Sequence, residues 1–134
     1  MKKRKLGLLL ALMCLAMGSM TVSAETKLFT FSLSKGYCDA NVWKASKADD
    51  EQTAYITPTS TVGTGIIFAE VYDSRGAYRY TEAAGIVPGE VGDTKTMAYS
   101  TNRGVKGATY RLIGCDSENL VTSSTFQASG RWTP

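Results

Sequence analysis

Three tyrosines stand where strand spacing brings them near one another. Tyr78 and Tyr80 are two residues apart, on one face of an extended segment, and Tyr72 precedes them across a short turn. A tyrosine ring combines an apolar body with a polar tip. Such a face is either a stacking platform for sugar rings or peptide surfaces, or a patch packed on an opposite sheet. Trp43 and Trp132 divide in the same way between core anchors and surface contacts. Trp132 reads as core because Phe126 and Ala128 precede it at even spacing.

The acids offer less. Glu70, Asp73 and Glu82 could hydrolyse a glycosidic bond if two of them faced each other at about 5 to 9 Å, but their places on and beside a hairpin read as solvated strand and turn acids. Asp49-Asp50-Glu51 could donate oxygens to calcium; it lacks the alternating spacing and glycine of a dedicated loop and reads as a charged turn. The chain contains no histidine. That removes histidine general bases, Ser-His-Asp and Cys-His arrangements, and His-ligated zinc or copper. The expectation is a protein that is not an enzyme and has neither metal site nor cofactor.

The N-terminus opens with Lys2-Lys3-Arg4-Lys5, continues with an apolar run from Leu6 to about Met17, and reaches Val22-Ser23-Ala24 before Glu25. A basic start, a short apolar stretch and a small-x-small site make a secretory leader over residues 1–24, too short in its apolar part to span a bilayer comfortably. The domain is then 25–134, secreted and extracellular. Four of the 15 Lys and Arg belong to the leader, so 11 basic residues face 12 acidic ones, a formal charge of −1. The domain lacks the basic excess that phosphate backbones require, and nucleic acid is not an expected partner. No second apolar stretch suits membrane insertion of the mature chain, which should be a monomer.

Cys14 lies inside the apolar run, leaving Cys38 and Cys115. Two cysteines in an oxidising compartment have one intramolecular pairing, and a Cys38–Cys115 disulfide is expected; two free thiols are the competing state.

Positioning these residues falls to strands, because no segment sustains a helical period while several alternate at period two. Leu28 to Leu33 puts Phe29, Phe31 and Leu33 on one face. A strand around Ala54-Tyr55-Ile56-Thr57 should end at Pro58, which has no N–H to donate. Gly65 to Tyr72 should turn at Asp73-Ser74-Arg75-Gly76, with Asp first and Gly last as type I turns prefer, and return antiparallel through Ala77 to Thr81. An edge strand follows over Thr94–Ser100, then a turn from Thr101 to Gly107, a strand from Thr109 to Gly114, and a last one from Ser124 to Trp132. About seven strands separated by turn signals predict a single all-β domain, an antiparallel β-sandwich of jelly-roll or immunoglobulin-like kind, with a closed barrel as the alternative.

The Phe29-x-Phe31 strand, the Gly107-Ala108-Thr109-Tyr110-Arg111-Leu112 strand and the Gly130-Arg131-Trp132-Thr133-Pro134 ending together resemble small exported β-rich proteins of clostridial-type Gram-positive bacteria. That group carries a leader, a Thr/Ser/Tyr-rich β domain and a terminal glycine-x-tryptophan-serine-proline pattern, and has no assigned function. Here threonine replaces the usual serine, and the cysteine pair is not a feature of the group. A fainter similarity points to secreted β-sandwich bacteriocins of the lactococcin 972 type. Neither resemblance transfers a functional residue.

These features favour a secreted, non-enzymatic interaction domain that presents Tyr72, Tyr78 and Tyr80 to a cell-surface protein or glycan. The alternative is a bacteriocin-like toxin acting on neighbouring bacteria, against which stands the near-neutral charge and the lack of an amphipathic helix.

Overall fold

The computed structural model describes residues 25–34, 37–116 and 125–134, with backbone only at 40–42; the leader expected over 1–24 lies outside these residues. The described chain is all-β, with eight strands: β1 (Lys27–Leu33), β2 (Cys38–Ser46), β3 (Thr53–Gly63), β4 (Ile67–Asp73), β5 (Ala84–Ile86), β6 (Lys95–Ala98), β7 (Thr109–Asp116) and β8 (Phe126–Thr133). They form two antiparallel four-stranded sheets, one in the order β1-β8-β3-β6 and the other β2-β7-β4-β5. Every consecutive pair except β4 and β5 is split between the two sheets.

Period-two alternation drives this arrangement. In β1 the side chains of Phe29, Phe31 and Leu33 are buried while Leu28, Thr30 and Ser32 face solvent; β8 alternates likewise from Phe126 to Trp132. Ile56, Met97 and Trp132 from one sheet meet Ile67, Val71, Ile86, Tyr110 and Leu112 from the other in one buried cluster. Trp132 is fully within it, as its even spacing from Phe126 and Ala128 predicts.

Two glycines let the layers close. Gly130 pairs with Phe29 on one side and Pro58 on the other, and a methyl group there would lie 2.8 Å from the Phe29 ring and 2.2 Å from the Thr57 carbonyl oxygen. Gly114 lies in the opposite sheet, and a methyl group on it would lie 2.8 Å from the Phe31 ring. The rings of Phe29 and Phe31, 4.8 Å apart between centroids, therefore use space that only glycine leaves.

Cys38 lies directly opposite Cys115 on paired strands β2 and β7, and the two are bonded, with Cα atoms 4.0 Å apart. The free-thiol alternative is not what the structure holds.

Three expectations need correction. Pro58 does not end its strand: β3 runs through it to Gly63. The pairing with β6 covers only Thr53 to Ile56, and a register shift against β8 falls between Pro58 and Ser60, so the missing N–H falls where no ladder asks for it. Among the described residues the strands number eight, against about seven expected: Cys38–Ser46 and Ala84–Ile86 are strands that their mixed compositions hid, and Ala77–Thr81 is not one.

The third correction concerns the hairpin. Its turn forms as expected, with the Gly76 N–H donating to the Asp73 carbonyl at 2.9 Å. The return leg, however, bridges β4 only at Tyr72 and Arg79 before slipping; the next pair is Ala69 with Ala84. At the slip the Thr81 hydroxyl accepts the Val71 N–H at 2.9 Å, Thr81 bridges Tyr99, and the Glu82 N–H donates to the Ala98 carbonyl at 3.0 Å. The return leg thus stitches the edge of one sheet to the edge of the other.

Candidate functional site

The expected three-tyrosine platform does not assemble. Because Tyr72 is paired with Arg79, its ring shares a sheet face with Arg79 and Glu70, opposite to the direction taken by Tyr78 and Tyr80. Its hydroxyl donates to one Glu70 oxygen at 2.9 Å while Arg79 binds the other at 2.8 Å. Burial, together with donation to Glu70, pushes the Tyr72 hydroxyl above the usual tyrosine range. Glu70, itself buried, is held by both neighbours.

Tyr80 is half buried. Its ring meets Tyr110 edge-on at 6.2 Å, and the Arg103 guanidinium lies over it at 5.0 Å from the centroid. Tyr78 alone is a free platform, with 70% of its surface exposed. Tyr78, Arg79, Tyr80, Ser100 and Arg103 line a cleft of about 370 Å³. A second cleft, of about 440 Å³, shares Tyr80 and Arg103 and extends between the 73–76 turn and the 102–109 loop, with Arg75, Asn102 and Tyr110 in its wall.

The loop that carries Arg103 is held from beneath. The buried Tyr110 hydroxyl donates to the Arg103 carbonyl at 2.5 Å and accepts the Val105 N–H at 2.7 Å. Gln52 makes reciprocal bonds to Gly104, its amide nitrogen donating to the carbonyl at 2.6 Å and its oxygen accepting the N–H at 3.0 Å. Gly104 has no room for a side chain: a Cβ would stand 2.7 Å from the Glu51 carbonyl oxygen. On the opposite wall, Asp73 Oδ1 accepts the N–H groups of Ala77 and Tyr78 at 2.7 and 3.0 Å, and donation from Tyr78 first, then Ala77, holds its carboxyl below the usual range. Both walls are therefore set before any ligand arrives.

No family model, curated protein or solved structure matches the chain.

Two of the three acids with the chemistry for glycoside cleavage are occupied in structural roles. Glu70 holds Tyr72 and Arg79, and Asp73 holds its turn; Glu82 is exposed on the slipped return leg. In the Asp49-Asp50-Glu51 segment, Asp49 pairs with Lys47 at 3.0 Å, Asp50 accepts the Lys106 N–H at 3.0 Å, and Glu51 accepts the Tyr55 hydroxyl. Among the described residues no group of three acids or cysteines is placed to hold a metal.

Arg79, Ser100 and Arg103 escaped sequence reasoning. Arg79 sits between Tyr78 and Tyr80 and carries no separate signal, and Arg103 lies in a glycine-bearing turn that reads as mere connection. The one available signal was the concentration of arginine: of the five in 25–134, three line these two clefts.

Proposed function

We propose that the chain is a secreted, non-enzymatic recognition domain that binds a cell-surface partner, foremost a glycan, in the joined clefts between the 73–78 turn and the 100–108 loop. The observation that carries this reading is the solvent-facing Tyr78 ring beside the stacked Tyr80–Arg103 pair. An exposed aromatic face next to fixed hydrogen-bond donors is what a sugar ring, apolar on one side and hydroxylated at its rim, needs for orientation.

The strand order supports it. We read 1-8-3-6 against 2-7-4-5 as an eight-stranded jelly roll, an architecture that lectin domains also use, although a fold by itself does not assign a function. The leader, the disulfide and the occupied carboxylates fit an exported binding module better than a hydrolase.

A glycan array and a pull-down from cell-envelope fractions, run with oxidised protein and with Tyr78→Ala, test the reading. Tyr78 is exposed, so the variant should fold and melt like the parent. Binding by the parent that Tyr78→Ala reduces about tenfold is the expected result; binding that survives the substitution unchanged would move the site elsewhere.

A further inference from the structure

Arginine is unevenly placed on this domain, and the unevenness says what kind of ligand the clefts take. Arg75, Arg79 and Arg103 line them, against the single carboxylate of Asp73. Asp73 is engaged by its own turn amides. Arg79 is partly neutralised by Glu70, whereas Arg75 and Arg103 are exposed and form no ion pair among the described residues. A guanidinium stacked on a ring keeps its planar fork of donors outward, and that fork matches carboxylate and phosphate oxygens two at a time. The Arg103 guanidinium lies over the Tyr80 ring, 5.0 Å from its centroid, on a loop whose backbone is held by the Tyr110 hydroxyl and the Gln52 side-chain amide.

We infer that the ligand is an anionic glycan, with an acidic substituent seated on Arg103 and Arg75 while a sugar ring stacks on Tyr78. This rests on the binding reading above and adds the ligand's charge. The acidic group could be a carboxylate or a phosphate, since both satisfy the same fork. An extended polyanion such as nucleic acid is disfavoured by the domain's formal charge of −1, which leaves only this local patch of positive potential.

The test measures retention of the oxidised secreted domain, residues 25–134, on immobilised polygalacturonate, phosphomannan and neutral mannan, alongside Tyr78→Ala, Arg103→Gln, Arg103→Lys and Arg131→Gln. Arg131 is exposed on the far sheet and serves as a charge-matched control. The expected result is binding to at least one acidic polymer and none to mannan, with Arg103→Gln weaker by about tenfold or more. Arg103→Lys should fall between, keeping charge but losing the fork, and Arg131→Gln should match the parent. Preference for polygalacturonate or for phosphomannan names the acidic group. Equal binding to neutral mannan, still sensitive to Tyr78→Ala, would overturn the anionic assignment and leave the recognition site standing. No retention on either acidic polymer, or equal losses in Arg131→Gln and Arg103→Gln, would also overturn it. Loss in Arg103→Gln without loss in Tyr78→Ala would keep the anion site and remove the stacking role.

Discussion

Single side chains set the cleft's geometry, and the most informative is one buried beneath the loop that carries Arg103. Tyr110 is buried, and its hydroxyl bonds both the Arg103 carbonyl and the Val105 N–H. Tyr110→Phe retains the packing and removes both bonds, so it should cost about 1 to 2 kcal/mol in a denaturant titration and loosen Arg103. Lys47 plays a comparable part elsewhere. It is 2% exposed, donates to the Pro134 carbonyl oxygen at 3.0 Å, pairs with Asp49 and lies 5.3 Å from the Tyr99 ring centroid. Lys47→Met should lower stability by about 2 kcal/mol by removing a charged donor from a buried carbonyl. Acid should act through the carboxyls held below their usual range: Asp73 by its turn amides, and Asp49 by Lys47. A depressed carboxyl stabilises the fold above its unfolded pKa, about 4 for aspartate, and that contribution is lost as pH falls through the lower folded value. Thermal melts from pH 7 to pH 2 should show the decline beginning near pH 4, and Asp73→Asn should show a shallower one.

At the level of strands, the tight glycines are the sharpest test of the packing. Gly114→Ala pushes a methyl into the Phe31 ring and should cost about 1 to 3 kcal/mol, while Gly130→Ala meets a backbone oxygen that cannot move aside and should cost about 3 kcal/mol or more. Chemical denaturation of each variant measures both. Strands were legible where one face is apolar and the other polar, as in β1, β4, β7 and β8. Residues 38–46 gave no such pattern, because Cys38, Lys44 and Ser46 lie outward while Asp39 and Ala45 turn in. The hairpin was half legible: Asp73 and Gly76 dictate a turn locally, but the slip at Tyr80–Ala83 is imposed by bonds to Ala98 and Tyr99 in the other sheet. That slip and the Tyr72–Arg79 pairing divided the tyrosines between two faces. Tyr80 and Arg103 meet only because two loops distant in sequence converge at one end of the fold, which no local pattern records.

On the scale of the whole molecule, one covalent bond ties residues 77 apart, joining the edge strand β2 to its inner neighbour β7. Replacing both cysteines by serine should lower stability by about 4 to 5 kcal/mol in the chain-entropy account, a large share of what a domain of this size has. Melting the oxidised protein and the double variant side by side measures it. The disulfide joins β2 to β7, and β7 supplies Tyr110, so the same bond steadies the sheet that carries the wall of the two clefts. We propose that the protein meets its partner at this end, between the 73–78 turn and the 100–108 loop. Backbone amide NMR of the oxidised protein titrated with an acidic polysaccharide tests it most directly. The predicted result is shifts concentrated at Tyr78, Arg79, Tyr80, Ser100 and Arg103. Shifts confined to the outer face of the β1-β8-β3-β6 sheet would contradict it.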